Sequence, residues 1–283
     1  MFNRAAVIGA GLIGGSIGMG LRQRRLARQV AAVARSEETL RLALDLGAAD
    51  TASRSLAEAV SGADLVVLAA PVSLIVQHLG MIGEAIDATC LVTDVGSVKA
   101  PIVAAAEKTL PHPARFVGGH PLAGSERSGI ASGRPDLFEG ATWVLTPGTG
   151  TGPAALDQVQ RLAGALGAKP LLLPPQEHDD LVARTSHLPH IVAAALMTVI
   201  ASRAAERAAI LDVIGPGFRD ATRIAAGDAA LWTDIALANA DALLAALGEM
   251  NTALARFAAA LAARDREELE RLLLDAQRAR ETL

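Results

Sequence analysis

The chain has 283 residues, 51% hydrophobic and 20% charged, enough for one large domain or two ordinary ones. Its net charge of −4 and its 2% aromatic content exclude a general attraction to nucleic acid or anionic membranes and argue against base stacking. Its single cysteine, Cys90, excludes an internal disulfide, so we expect a protein of the reducing cytoplasm with a small-molecule partner.

Short apolar runs alternate with helix-like segments over the first two thirds of the chain. This alternation is typical of βαβ units and predicts an α/β fold with a parallel sheet. The predicted strands are residues 5–9, 29–34, 65–70, 91–94, 115–118, 142–146 and 169–173. Helices are expected between them at 12–24, 37–46 and 153–166. No apolar leader precedes the first predicted strand, so we expect no cleaved signal.

A glycine-rich motif directly follows the first predicted strand and opens a helix. Residues 9–14 read Gly-Ala-Gly-Leu-Ile-Gly. Here Gly9 permits a tight turn, Gly11 lets the backbone approach a pyrophosphate, and Gly14 lets the helix pack on the strand. Leu12 and Ile13 begin the helix, whose unpaired amides can bind phosphate. These five residues are predicted to bind a dinucleotide; the alternative is a turn that simply needs glycines.

The end of the second predicted strand indicates the choice of cofactor. An NAD-selective site usually has Asp or Glu there, about 20 residues after the glycines. This chain has Ala34, Arg35 and Ser36 instead. A cation and a hydroxyl suit a 2′-phosphate, so we predict that NADP is preferred and that NAD is the second choice. The alternative is a solvated arginine without a cofactor role.

Two further motifs follow strands whose carboxyl ends should meet at one edge of the sheet, where ligands bind in such folds. Residues 94–99 read Asp-Val-Gly-Ser-Val-Lys, and residues 118–126 read Gly-Gly-His-Pro-Leu-Ala-Gly-Ser-Glu. A histidine on a glycine-rich loop is poorly placed for core packing. A neutral imidazole can accept a proton near neutral pH, so His120 is predicted to be catalytic.

The chain changes character after Pro174 and Pro175, because no further β-type run occurs and apolar residues recur at helical spacing. We therefore predict two domains, residues 1–174 and an all-helical part, residues 175–283. Residues 242–262 are apolar on more than one face, which predicts burial against another subunit and hence a homodimer. The apolar run at 191–201 is too short to cross a bilayer, so no membrane is expected.

Two polar clusters lie in the helical part. Residues 185–190 read Thr-Ser-His-Leu-Pro-His, and the spacing of His187 and His190 would suit a metal pair. Pro189 should interrupt that turn and the single cysteine offers no companion ligand, so no metal is predicted. Residues 215–223 read Gly-Pro-Gly-Phe-Arg-Asp-Ala-Thr-Arg. Two arginines beside a glycine turn predict a carboxylate clamp; the alternative is a pair of helix-surface cations.

In this order, the motifs resemble those of the prephenate/arogenate (cyclohexadienyl) dehydrogenase family. The resemblance extends over nearly the whole chain. The glycine fingerprint alone is weak, but the ordered set is specific. Besides the fingerprint, the matching segments are Gly-Ser-Val-Lys at 96–99, Gly-His-Pro-Leu-Ala-Gly at 119–124, His-Asp-Asp at 178–180, Ser-His-Leu-Pro-His at 186–190, Phe-Arg-Asp at 218–220, Arg223 and Trp232.

The resemblance implies a Rossmann-type domain, a helical dimerisation domain and a reaction of tyrosine biosynthesis. The implied reaction is oxidative decarboxylation of prephenate to 4-hydroxyphenylpyruvate with hydride transfer to NAD(P); the alternative substrate is arogenate, alone or alongside prephenate. His120 corresponds to the catalytic histidine that binds the ring hydroxyl, and Ser97 to the serine that orients it. Arg223 would bind a substrate carboxylate and His190 would contact the substrate. Ser125 and Glu126 correspond to loop positions of the family that lie beside the pocket.

Two other interpretations stay open. A β-hydroxyacid dehydrogenase or an imine reductase would need a catalytic lysine on the helical part, but Lys169 is the last lysine of the chain. A redox-sensing NADP-binding module without turnover would keep the glycine loop. Such a module would not need Ser97, His120 and Arg223 together.

Overall fold

The protein is described by a computed structural model over residues 1–124 and 129–282. Eight strands form one sheet in the order β3-β2-β1-β4-β5-β6-β7-β8. The strands are β1 Phe2–Ile8, β2 Ala27–Val33, β3 Thr51–Ser53, β4 Leu65–Leu68, β5 Leu91–Asp94, β6 Phe116–Pro121, β7 Thr142–Thr146 and β8 Lys169–Leu172. All neighbouring pairs run parallel except β6 and β7. The predicted α/β fold is therefore confirmed, and the antiparallel pair is its one departure from a parallel sheet.

Helices cover both faces of the sheet, so its central strands are apolar on both sides. These helices are α1 Leu12–Gln23, α2 Glu37–Asp45, α3 Leu56–Val60, α4 Val72–Ile82, α5 Ala100–Thr109 and α6 Pro153–Ala165. Because side chains alternate along a strand, β4 sends Leu65 and Val67 into one core and Val66 and Leu68 into the other. All four are buried, as expected for a parallel strand in the middle of a sheet.

The sequence did not predict β3. This strand has three residues, Thr-Ala-Ser, lies at one edge of the sheet and is not buried. A polar edge strand of this length has no apolar run or alternation by which it could be recognised.

Every regular element described after β8 is a helix. The helices are α7 Pro175–Val182, α8 Leu188–Glu206, α9 Pro216–Thr222, α10 Ala229–Ala238, α11 Ala240–Ala262 and α12 Arg266–Glu281. A π-helical turn, Ala183–His187, joins α7 and α8 into one continuous helix. A proline clashes with the carbonyl four residues before it, and the wider turn directly before Pro189 relieves that clash. Pro189 was predicted to interrupt the turn; the structure replaces the regular α turn before it by a π turn, and the helix continues.

The same helix, Pro175–Glu206, is longer than its apolar run at 191–201 suggested. The helix has 32 residues, and an 18-residue window within it reaches a mean hydropathy of 1.5, so by length and composition alone it could cross a membrane. In the described part of the chain a second span would require α10 and α11 to count as one broken helix. Core helices of soluble proteins pass the same test. This helix also buries four polar side chains that a lipid environment would disfavour, namely His178, Asp179, His187 and His190.

The chain forms two compact units, Met1–Asn239 and Ala240–Leu283. The first contains the sheet and the helices up to α10. In the second, α11 and α12 pack together, and Arg256 and Glu268 form an ion pair with an N–O distance of 3.8 Å. Helix α11 is the apolar helix expected at residues 242–262. The domain boundary between residues 174 and 175 stays a prediction.

Candidate active site

The loop after β1 combines two tightly packed glycines with an open one. Gly9 has a φ of 104°, and a Cβ atom there would lie 2.1 Å from the carbonyl oxygen of Ala69. A Cβ atom at Gly14 would lie 2.1 Å from the carbonyl oxygen of Gly9. At Gly11, no described atom beyond its chain neighbours lies within 4 Å of that position. The first two positions therefore need glycine for packing, whereas Gly11 faces open space.

This loop fits a dinucleotide. Helix α1 begins directly after Gly11, and no described side chain caps its N terminus. Leu12 and Ile13 begin the helix and are partly exposed, and the first amides of a helix have no intrahelical partner. Such a terminus binds phosphate, and the open side of Gly11 leaves room for it. The residues predicted from the fingerprint are thus arranged as an NAD(P) site requires.

Arg35 and Ser36 lie just beyond the end of β2, next to this loop. The amides of Gly9 and Ala10 both donate to the carbonyl oxygen of Val33, at 2.9 and 3.1 Å. Arg35 is exposed. The Ser36 hydroxyl accepts a hydrogen bond from the Thr39 amide at 3.1 Å and so caps α2. This cap gives Ser36 a structural role that holds with or without a cofactor.

A buried ion pair forms the turn after β5. The Asp94 carboxylate accepts hydrogen bonds from the Lys99 ammonium, from the Gly96 amide at 2.7 Å and from the Gly119 amide at 3.1 Å. Lys99 Nζ also donates to the Gly119 carbonyl at 2.7 Å. Burial raises the pKa of Asp94 and lowers that of Lys99, while their mutual attraction opposes both shifts. The turn, which contains Ser97, is thereby attached to Gly119 of β6.

His120 lies on β6, not on the glycine-rich loop that the sequence suggested. Its Nδ1 atom is 2.9 Å from Nε2 of His178, and the two rings meet edge to face with centroids 5.1 Å apart. His178 Nδ1 is in turn 2.7 Å from Oδ1 of Asp179. The antiparallel pairing with β7 extends β6 to Pro121, so the strand carries the histidine to its carboxyl end.

Asp179 joins the two histidines to helix α5. Its Oδ1 accepts the Lys99 amide at 2.6 Å and its Oδ2 accepts the Ala100 amide at 2.8 Å, which caps the N terminus of α5. The Asn239 side chain donates to the Asp179 carbonyl at 2.8 Å. From the sequence, His178 and Asp179 were noted only as part of the matching segment His-Asp-Asp at 178–180, and neither residue was assigned a role.

The surroundings of His120 favour a neutral ring. Burial, followed by the nearby charges of His178, Lys99 and His187, holds the pKa of His120 well below its usual value of 6.5. At neutral pH its imidazole is therefore uncharged. An uncharged imidazole can accept a proton, as the predicted catalytic role requires.

The rings of His187 and His190 both lie next to Trp232, on one face of the long helix. The ring of His190 stacks on Trp232 with centroids 3.6 Å apart, and its buried Nδ1 has no hydrogen-bond partner among the described residues. His187 Nδ1 is 3.2 Å from the Asn239 amide nitrogen, and burial lowers the pKa of His187 to about 4. The described residues contain no group of three or more side chains that could hold a metal ion.

Arg223 lies in the helical part of the chain. It begins a 3₁₀ turn, Arg223–Ala226, that packs against α8, the helix of His190, and its side chain is exposed. The structure thus brings His120 together with His178 and the Ser97 turn, and it brings Arg223 to the helix of His190. Ser125 and Glu126 lie outside the described residues.

An open glycine loop and a neutral histidine, both at the carboxyl edge of an α/β sheet, define a dinucleotide-dependent oxidoreductase. Residues 17–172 match the family model "Prephenate dehydrogenase, nucleotide-binding domain", and residues 174–275 match "Prephenate dehydrogenase, dimerization domain". The chain belongs to the prephenate dehydrogenase family. It is accordingly an NAD(P)-dependent enzyme, and the predicted family resemblance is confirmed.

Individual relatives agree with this assignment. Prephenate dehydrogenase of Bacillus subtilis is 38% identical over 240 residues, which cover 83% of this chain and 64% of that protein. Cyclohexadienyl dehydrogenase of Zymomonas mobilis is 32% identical over 281 residues, covering 99% of this chain and 96% of that protein. The structure of prephenate dehydrogenase from Aquifex aeolicus with hydroxyphenyl propionate and NAD+ has a TM-score of 0.94 and 30% identity, covering 100% of this chain and 98% of that chain.

Proposed function

We propose that this member of the prephenate dehydrogenase family uses His120 to remove the proton of the substrate's ring hydroxyl as prephenate is converted to 4-hydroxyphenylpyruvate. The observation that carries this role is the position of His120 at the carboxyl end of β6, in contact with His178 and beside the turn that contains Ser97, where burial lowers the pKa of its imidazole. Bound nicotinamide supplies the acceptor for the hydride of the same ring carbon. The ring carboxylate leaves as carbon dioxide, and aromatisation drives the reaction forward.

The substrate's other groups are held from the helical side. Arg223 binds a carboxylate, because a planar guanidinium can donate two parallel hydrogen bonds to it. His190 contacts the substrate from α8, and its buried Nδ1 without a described partner supports that role. Ser97 orients the ring hydroxyl toward His120. Ser125 and Glu126 are proposed to lie beside the pocket.

Arogenate is the second candidate substrate, since it differs from prephenate only in an amino group instead of a keto group. The similarity to the Zymomonas mobilis cyclohexadienyl dehydrogenase favours testing it. The experiment is steady-state kinetics with both substrates and both cofactors. Turnover with prephenate is expected; if arogenate alone reacted, the substrate assignment would be wrong.

We propose NADP as the preferred cofactor. The support is Arg35, exposed just beyond β2 where an NAD-selective site has a carboxylate. A charge pair with the 2′-phosphate should favour NADP by about 1 to 3 kcal/mol, or about five- to a hundredfold. The double change Ala34→Asp with Arg35→Ala should move the preference toward NAD. A ratio of catalytic efficiencies that already favours NAD in the unmodified protein would refute the preference.

A cytoplasmic homodimer built on the helical half is also proposed. The match to a dimerisation domain supports it, as do large apolar side chains left exposed on the helices after β8. Examples are Val199 on α8, Leu244 on α11 and Leu273 on α12, exposed by 60, 66 and 57%. Light scattering at micromolar concentration should give twice the mass of the chain, and the mass of one chain would contradict the proposal.

A further inference from the structure

Three side chains form a continuous hydrogen-bonded row: Asp179, His178 and His120. The row starts at the N terminus of α5 and ends at the imidazole proposed to act as the base. His178 is buried, with 1% of its side chain exposed, so water does not compete for its ring nitrogens. The protonation of each ring nitrogen therefore follows from its protein partner.

The proton positions can be assigned from the Asp179 end. The Asp179 carboxylate accepts the backbone amides of Lys99 and Ala100 at the N terminus of α5, and as an acceptor it requires the proton on His178 Nδ1. A neutral His178 then has a bare Nε2, which can only accept. His120 Nδ1 must donate to it over 2.9 Å, which leaves the proton of the neutral His120 ring on Nδ1 and its Nε2 bare.

We propose that His178 and Asp179 are positioning residues that hold His120 in the tautomer whose Nε2 accepts the substrate proton. The inference rests on the proposed role of His120 as the base. Without the acceptor on His178, the ring could carry its proton on Nε2 and turn a donor toward the substrate hydroxyl. A donor at that place cannot act as a base.

The same row of side chains also carries the positive charge that arrives with the substrate proton. When His120 Nε2 takes the hydroxyl proton, the Nδ1 proton moves across the hydrogen bond to His178 Nε2, so one proton enters the row and none is lost. The positive charge then lies on His178, 2.7 Å from a carboxylate oxygen. The Asp179 carboxylate stabilises a charge at that position, whereas Lys99 disfavours a charge on His120.

Both ends of the row are attached to the segment 94–100. Amides of Lys99 and Ala100 hold Asp179, and the Lys99 side chain holds the carbonyl of Gly119, the residue before His120. A single rigid turn thus sets the distance between the carboxylate and the base.

The test compares two substitutions of His178, assayed in the full-length protein with prephenate and NADP. In His178→Gln a carbonyl oxygen can accept from His120 Nδ1, whereas His178→Leu removes the acceptor. The kcat of His178→Leu should fall by about 10² to 10⁴ with KM nearly unchanged. His178→Gln should recover at least about tenfold over His178→Leu. His78→Gln, at a half-buried histidine on α4, is the matched control and should leave kcat unchanged.

Equal losses in the two folded His178 variants, or an unchanged kcat in His178→Leu, would overturn the inference. The variant His120→Asn separates the two proposals. If it retains full kcat, the proposed role of His120 as the base is wrong. If it loses activity while His178→Leu stays active, only the positioning role is refuted. Should His178→Leu not fold, ¹⁵N NMR of histidine-labelled unmodified protein decides. A protonated Nδ1 and a bare Nε2 on His120 are expected, and the opposite tautomer would overturn the inference.

Discussion

The loop after β1 and the edge formed by β5 and β6 both lie at the carboxyl ends of parallel strands, but they are built in opposite ways. At the loop, glycines occupy the positions where the backbone must turn, pack closely or face a ligand. Apart from the chain neighbours of Gly11, no described atom comes within 4 Å of a Cβ placed on it. At the other edge, buried charges and hydrogen bonds fill the space, including the Asp94–Lys99 pair and the row from Asp179 to His120.

From this difference we expect the loop to serve cofactor binding and the edge of β5 and β6 to serve the chemical step. The glycine loop offers backbone donors that suit any pyrophosphate, and a neighbouring side chain such as Arg35 has to select between cofactors. The edge of β5 and β6 instead fixes one imidazole in one charge state. We therefore expect changes in the two regions to affect different quantities: affinity for the cofactor at the loop, and turnover at the edge.

The largest expected effect is on turnover. His120→Asn should lower kcat by about 10² to 10⁴, because it removes the proposed proton acceptor while keeping a similar side-chain volume. The affinity for the cofactor should change little, since His120 lies outside the glycine loop. Single-turnover kinetics and cofactor titration on one preparation test both statements. A parallel loss of cofactor affinity would show that the two regions are not separable.

Arg223→Ala should chiefly raise KM, by about ten- to a hundredfold, because a charge-assisted hydrogen bond contributes about 1.5 to 3 kcal/mol to binding. The carboxylate is present in both the ground and the transition state, so kcat should change less. Arg219→Ala, at the other arginine of the same segment, is the matched comparison and should change KM less. If kcat fell while KM stayed fixed, Arg223 would be a transition-state group.

The smallest expected effects distinguish two positions within the glycine loop, Gly14 and Gly11. Gly14→Ala should lower the free energy of unfolding by about 1 to 3 kcal/mol, because the new Cβ atom would meet the Gly9 carbonyl oxygen at 2.1 Å. Gly11→Ala should cost less than about 1 kcal/mol in stability but weaken cofactor binding, since its Cβ fills the open side of the loop. Urea unfolding and cofactor titration of both variants measure this; equal destabilisation would contradict the assignment of Gly11 to the ligand.

The two regions also differ in how far the sequence predicted them. The glycine loop is six consecutive residues between a strand and a helix, so its conformation follows from local rules. The strands β5 and β7 were predicted residue for residue because each is a short apolar run with clear ends. Strand β3 lacked such a run and was missed.

The edge of β5 and β6 was predicted only in part, because distant segments assemble it. His120 was recognised as a chemical group, but its place on a strand depends on pairing with β7, which the sequence did not show to be antiparallel. The partners His178 and Asp179 come from a helix nearly 60 residues further along, and no spacing rule links them to His120. The π turn before Pro189, which lets that helix continue, was likewise not predictable from a proline alone.

The pH dependence of kcat/KM tests the central claim most directly, because the proposed base is active only when neutral. Activity is lost as the pH falls through the pKa of His120, which burial and the charges of His178, Lys99 and His187 hold well below 6.5. The unmodified protein should therefore keep full kcat/KM at pH 6.5 and lose it along a limb at clearly lower pH, and the residual activity of His120→Asn should lack that limb. A limb centred at or above pH 6.5, or the same limb in His120→Asn, would contradict the assignment of His120 as the base.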